Sequence, residues 1–467
     1  MDDIFVPVTE IGSLDFNQRL VDLNEHFKVE YGADPEFFVK VPGRVNLIGE
    51  HIDYCGYPVL PMAIEQSIFL AVGRSGDDLV HLRNLESKYE NFKCNVNTFK
   101  IDLPTCGGPA WYSYFLCGVK GIFDFVGGDV RRHGFFVSVS GNIPPASGLS
   151  SSSALVSAAT LATAFIHGLK LPSQKLASIA AVCERYIGTQ GGGMDQAIAF
   201  LAQPGCAQLI HFDPLKAEPI RLPMHSIFVV ANSLAEMNKA ATSDFNERVV
   251  ECRISCHLLA KKLGVEGWRQ LSRLRELQNN LGCDLNELES LASQNINKDV
   301  YTRHEVLTEL EITDQELSKN FLTPNTQAMQ LFKLRQRTMH VIQESKRVWK
   351  FRTEAESDNS SLERLSELMR QSHTSLRNLY ECSHPCLDKL VEISQNLNIG
   401  ARLTGAGWGG SIVALCDSLD SCNKYIQVLK EKYYKDLPQA KGRNLDNVVF
   451  ATYPCGGAEV FYHKQTN

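Results

Sequence analysis

The sequence predicts a mixed α/β (α+β) protein of two lobes, from three observations. Short apolar, β-branched runs alternate with helical patterns through the first half. From about residue 235 to 396 the chain becomes mainly helical and richer in charge. The C-terminal segment then returns to strand-like runs. A length of 467 residues suits two large lobes. The change of character at 215–235 divides them into 1–225 and 226–467.

In chain order, residues 37–41 (FFVKV), 68–72 (IFLAV) and 135–139 (FFVSV) read as strands. Residues 151–164 (SSSALVSAATLATA) are small and Ala-rich, which predicts a buried helix. A second helix is expected over 171–186, with Pro172 near its start and Leu176, Ile179 and Val182 inside it. Residues 208–212 and 227–231 are strand-like. Over 328–350 an apolar stripe of Met329, Phe332, Leu334, Met339, Ile342 and Val348 predicts one long helix packed on the core. Another is expected over 361–380, and shorter Leu- and Glu-rich helices fill 267–324. Residues 411–415, 448–452 and 459–462 are strands assigned to the second lobe.

Composition excludes several classes. Hydrophobic residues at 44% and charged residues at 21% are ordinary for a folded chain. A net charge of −6 lacks the footprint of a nucleic-acid binder. No apolar run is long enough to span a membrane. The opening MDDIFVPVTE is acidic, unlike a signal peptide. The 14 cysteines are scattered. Neither close pair, Cys252/Cys256 or Cys382/Cys386, has a second pair at zinc spacing, so reduced thiols in a cytoplasmic protein are expected.

Four segments carry chemistry. Residues 42–54 (PGRVNLIGEHIDY) crowd Arg44, Glu50, His51 and Asp53 beside two glycines. That mixture of donors and acceptors suits sugar hydroxyls; a solvated turn with a salt bridge is the plain alternative. Residues 142–154 (NIPPASGLSSSSA) place Gly148 and serines at a helix start. The unpaired N–H groups and the helix dipole make a phosphate cradle there, unless the serines simply cap the helix. Residues 403–415 (LTGAGWGGSIVAL) match GxGxxG, but β-branched residues follow instead of a helix. A Gly-rich turn between two strands is expected. Residues 184–196 (ERYIGTQGGGMDQ) place Asp195 after three glycines, either as a carboxylate fixed in a cleft or as a helix cap.

Together, in this order, the four segments resemble the galactokinase branch of the GHMP kinases, named after galactokinase, homoserine kinase, mevalonate kinase and phosphomevalonate kinase. GEHIDYCGY, GNIPPASGLSSSSALV, ERYIGTQGGGMDQ and MNKAATSDFN are similar to N-acetylgalactosamine kinases within it. The resemblance implies a two-lobed GHMP fold with the active site between lobes. It also implies transfer of the ATP γ-phosphoryl group to the anomeric hydroxyl of N-acetylgalactosamine, and of galactose as well; the alternative is galactokinase proper. Asp195 would be the base, with Arg44 beside it to stabilise transition-state charge. Glu50, His51 and Asp53 would bind the sugar. Gly148, Ser150 and Ser151 would cradle the phosphates, and Ser152 and Glu184 would hold Mg2+. Asn238, Lys239 and Trp111 would contact ATP, although a core aromatic suits Trp111 equally. Many galactokinases carry a sugar-bonding Tyr where this chain has Phe245, which leaves room near the sugar 2-position. A monomer acting on small molecules is expected, with no membrane or nucleic-acid partner. A non-catalytic sugar sensor is the rival class, against which Ser152, Ser153 and Ala154 complete the phosphate motif.

Overall fold

In the computed structural model, residues 3–14, 17–102, 108–128, 130–235 and 242–463 are described. The strands are β1 (Val8–Ile11), β2 (Phe37–Ile48), β3 (Leu60–Arg74), β4 (Leu79–Asn84), β5 (Phe92–Asn95), β6 (Phe135–Gly141), β7 (Cys206–Phe212) and β8 (Leu215–Arg221). They continue with β9 (Ile227–Asn232), β10 (Tyr301–Thr302), β11 (Leu331–Phe332), β12 (Gly400–Thr404), β13 (Ser411–Cys416), β14 (Val449–Thr452) and β15 (Glu459–His463). One sheet has the order β1-β15-β2-β3-β6-β4-β5, and a second, antiparallel sheet has β12-β13-β9-β14. β7 and β8 form a hairpin.

The predicted strand at 37–41 runs on to residue 48 as β2, and all but one of its residues are buried. Its ladder with β3 is broken at Pro42/Arg44 and at Asn46/Ile48. Proline has no N–H for a ladder, so a bulge at Pro42 is expected. Arg44 is thus on a kinked strand, not in a solvated turn, and its backbone N–H donates to Leu149 O at 3.1 Å.

Helices in the first half are α1 (Gln18–Tyr31), α2 (Trp111–Val126), α3 (Ser151–Ile166), α4 (Ser173–Cys183) and α5 (Met194–Leu201). The Ala-rich α3 is buried along almost its whole length, as its small side chains require. α4 ends in a tighter turn at Glu184–Ile187. The second half holds α6 (Asp244–Lys262), α7 (Leu274–Leu281), α8 (Leu285–Asn295), α9 (Arg303–Leu310) and α10 (Asp314–Asn320). α11 (Leu334–Ala355), α12 (Leu362–Ser375), α13 (Pro385–Gln395) and α14 (Leu419–Leu429) complete it. The short helices α8, α9 and α10 start at capping boxes, Asp284/Glu287, Thr302/Glu305 and Thr313/Glu316. Each box satisfies N–H groups that a short helix would leave bare.

Two expectations need correction. Residues 328–350 are not one helix: Phe332 pairs with Tyr301 in a two-stranded ladder, and α11 begins after it. The stripe had mixed a buried strand residue with helical ones. The strand at 459–462 does not stay with the second lobe. β15 inserts between β1 and β2, parallel to the first and antiparallel to the second. The boundary at 225/226 therefore does not separate the sheets, and one continuous buried core runs through both halves.

Candidate active site

The phosphate motif and the Gly-rich turn meet backbone to backbone. β12 and β13 pair from Gly400↔Leu415 to Thr404↔Ser411, so the turn lies between two strands as expected. A Cβ on Gly148 would sit 2.7 Å from Thr404 O, and one on Gly405 would sit 2.5 Å from Gly148 O. Only glycine permits that approach. Ser411 Oγ adds a bond to Ser147 O at 2.7 Å. Ala146, Gly148 and Ser150 all have positive φ, which turns the chain sharply into α3. Ser150 makes no side-chain cap. The first N–H groups of α3 therefore face outward, as a phosphate cradle needs.

Arg44 and Asp195 form the centre. Arg44 Nε donates to Asp195 Oδ1 at 2.8 Å, and Nη1 donates to Gly148 O. Ser153 Oγ donates to Asp195 Oδ2 at 3.3 Å. Asp195 lies in the first turn of α5, and Arg44 is buried on β2.

Two cavities meet at this pair. The smaller is lined by Glu50, His51, Asp53, Tyr54, Glu184 and Phe245, among others. The larger, about 670 Å³, is lined by Gly148, Ser150, Ser151, Ser152, Tyr89 and Trp111, among others. Arg44, Asp195 and Ala406 line both.

Glu50 is buried, and its Oε2 accepts from Arg402 Nη2 at 2.9 Å. Burial pushes its carboxyl up to about 7, with Arg402 and Arg44 opposing. His51 is fixed by its neighbours. Ala406 O can only accept, so Nε2 carries the proton and donates to it at 2.9 Å. Nδ1 then accepts from Tyr54 O–H at 2.9 Å. Burial holds this imidazole neutral, down to about 3. Both ring nitrogens are spent inside the protein, so the expected sugar hydrogen bond from His51 is not available. The ring instead braces the sugar segment against Ala406. Trp111 stands at the start of α2, donates Nε1–H to Glu90 O at 3.0 Å and packs its ring against Tyr89, which lines the larger cleft with it. It lines the cleft and also packs against the core.

Hard-oxygen donors of the kind expected for Mg2+ are present in Ser152 and Glu184, but they line different cavities. Glu184 accepts from Gln196 Nε2. Among the described residues no three metal-ligating His, Cys, Asp or Glu side chains cluster. Mg2+ does not require such a cage, since it keeps waters and substrate phosphates as ligands. Asn238 and Lys239 lie outside the described residues.

The galactokinase galactose-binding signature matches residues 25–74. The GHMP kinases N-terminal domain matches 113–203, and the GHMP kinases C-terminal family matches 353–435. Galactokinase of Dictyostelium discoideum is 37% identical over 473 residues, covering 94% of this chain and 93% of that one. Galactokinase of Saccharomyces cerevisiae is 33% identical, covering 94% of each.

The chain belongs to the galactokinase family.

It is an ATP-dependent sugar kinase of the galactokinase type. A Lactococcus lactis galactokinase complexed with galactose shares the fold, with a TM-score of 0.73, 23% identity and coverage of 94% of this chain and 99% of that one. Methanococcus jannaschii mevalonate kinase matches less closely, with a TM-score of 0.53, 18% identity and coverage of 90% and 98%. Among the described residues, no helix of this galactokinase-family chain is long and apolar enough to cross a membrane.

Sequence reading missed Tyr54 and Ser153 as parts of this galactokinase-family site, and Arg402 and Glu344 as buried partners of Glu50 behind it. Arg402 had one signal, a charge inside the apolar strand run GARLT. Tyr54 and Ser153 stood inside motifs already singled out. Glu344 looked like any charged residue on a helix.

Proposed function

We propose that the protein transfers the γ-phosphoryl group of ATP to the anomeric hydroxyl of galactose. One observation supports this above the rest: the Arg44–Asp195 pair is the wall shared by a carboxylate-lined cavity and a cleft edged by a helix start. A sugar hydroxyl in the first and a phosphate in the second would meet at that wall. The Dictyostelium discoideum and Saccharomyces cerevisiae relatives that match along most of this chain are named galactokinases.

In this reading Asp195 accepts the anomeric proton as the sugar oxygen attacks the γ-phosphorus. The new O–P bond forms as the bond to the β-phosphate oxygen breaks, and ADP leaves. Arg44 orients Asp195 and offsets charge on the transferring group. Glu50 and Asp53 accept from sugar hydroxyls, and His51 braces the wall. The N–H groups around Gly148, Ser150 and Ser151 hold the phosphates, and Trp111 flanks the base. Ser152 and Glu184 would hold Mg2+, which neutralises phosphate charge when bound.

Positioning and charge do most of the work in phosphoryl transfer, and a general base adds about 10²–10⁴-fold. Asp195→Asn is expected to lower kcat by at least about 10²-fold while ATP binding persists. Near-normal turnover would remove Asp195 from this role. An ADP-release assay over several sugars separates the kinase from a silent sensor, which would release none.

A second reading, N-acetylgalactosamine as the sugar, is favoured by Phe245. Its ring lines the sugar cavity, 5.6 Å from His51 and 5.7 Å from Tyr54 between centroids. It offers no hydroxyl to the sugar. Side-by-side kcat/KM values decide: a higher value for galactose keeps the first reading, and a higher value for the acetamido sugar replaces it.

A further inference from the structure

The carboxylate that the proposed sugar site depends on is held from behind. Glu50 follows the end of β2 by two residues, and its Oε2 meets Arg402 Nη2 from β12 at 2.9 Å. Arg402 Nη1 donates to Asn46 O, also at 2.9 Å. Two residues on, Thr404 Oγ1 accepts the Asn46 N–H at 2.8 Å. From α11, Glu344 Oε1 accepts the N–H groups of Gly49 at 2.9 Å and Glu50 at 3.3 Å. His340 Nε2 donates to Glu50 O at 3.1 Å. Glu344 is itself held by Arg347 Nε at 2.7 Å and by Ser372 Oγ at 2.7 Å. Arg402, Glu344 and His340 are all fully buried.

Stability alone does not account for this arrangement. Replacing a buried ion pair by well-packed apolar groups is often neutral or stabilising. Arg402 Nε also has no hydrogen-bond partner among the described residues, which adds cost. Of the two acids in the clamp, Glu344 lies away from the cavity and Glu50 lines it.

We propose that Arg402 is a positioning residue for the sugar, holding the Glu50 carboxylate at the cavity wall through a buried clamp completed by Glu344 and His340. The inference rests on the reading of Glu50 as a sugar acceptor. Arg402 touches neither cavity and acts through Glu50. The charged and titratable groups around Glu50 are Arg402 on β12, Arg44 on β2, Asp195 on α5, Glu344 and His340 on α11, the adjacent His51, and Cys382. Arg402 is the strongest of those that favour the ionised form. Its loss leaves Glu50 protonated to higher pH.

The test uses the full-length enzyme with Arg402→Met, Arg402→Lys and Glu50→Gln, measuring KM for sugar and for ATP from pH 5.5 to about 9. Arg402→Met is expected to raise sugar KM about 10-fold or more, leave ATP KM within about two-fold, and move the pH midpoint of sugar KM upward. Arg402→Lys keeps the charge and loses the fork, so a smaller rise with a nearly unmoved midpoint is expected. That variant carries the test if methionine prevents folding. Adding Arg402→Met to Glu50→Gln is expected to cost little more than Glu50→Gln alone. Three results would overturn the proposal: unchanged sugar KM in folded Arg402 variants, equal losses of sugar and ATP affinity, or fully additive effects. A Glu50→Gln enzyme with normal sugar KM would instead overturn the reading of Glu50 on which the inference rests.

Discussion

Arg44 is a single side chain that spans three parts of the site: β2, the carboxylate of Asp195 and the carbonyl of Gly148. Arg44→Lys keeps a charge but loses the fork that serves both partners. We expect kcat to fall by about 10²-fold or more, with folding intact by circular dichroism. The buried histidines predict an acid limit. His51 is held down to about 3 and His340 to about 4, in both cases chiefly by burial. The unfolded chain takes up these protons near the ordinary histidine value of about 6.5. Their contribution to stability is therefore present above pH 6.5 and is lost as pH falls through 4 and then 3. Glu50 runs the other way. Its folded value is raised to about 7, so its contribution is full below 4.5 and lost as pH rises through 7. Melting temperature measured against pH should drop below pH 6.5, and His340→Gln should flatten that drop.

Whole elements meet the site through their ends. α5 presents Asp195 from its first turn, α3 presents bare N–H groups, and the β12–β13 turn closes on both. The loop before α5 passes so near the sugar segment that a Cβ on Gly192 would lie 2.4 Å from Tyr54 N and 2.5 Å from the Asp53 carboxylate. Gly192→Ala must push that loop away from Asp53. A sugar KM raised more than ATP KM is expected, with a stability loss of about 1–3 kcal/mol by chemical denaturation. Much at this scale was legible. The Ala-rich run became α3, and the glycines of residues 403–415 became a turn between strands because β-branched residues follow them. The capping boxes of α8 to α10 obey rules that act within a few residues. The expected helix over 328–350 did not survive, since Phe332 finds a cross-strand partner 31 positions away in Tyr301, which no local pattern signals.

At the scale of the molecule, the chain closes on itself. β15 lies between β1 and β2, with Val460 and Phe461 buried. Removing residues 459–467 would strip β1 of its partner and leave β2 as an open edge. Each lost core side chain costs about 1.5–3 kcal/mol. A lower melting temperature and concentration-dependent aggregation are expected, by calorimetry and light scattering.

The sequence by itself determined the local chemistry: a hydroxyl-rich helix start, a glycine turn, a segment dense in polar groups and an acid after three glycines. These follow from spacing, capping and backbone freedom, which are decided within one or two turns of chain. Only the tertiary structure decided which of those groups touch. Arg44 meets Asp195 across 151 positions, and Arg402 meets Glu50 across 352. It also engaged both ring nitrogens of His51 with Tyr54 and Ala406, and buried Glu344 where its helix gave no hint of a role. Such pairings depend on how sheets and helices pack, and packing brings together charges that no stretch of sequence holds side by side.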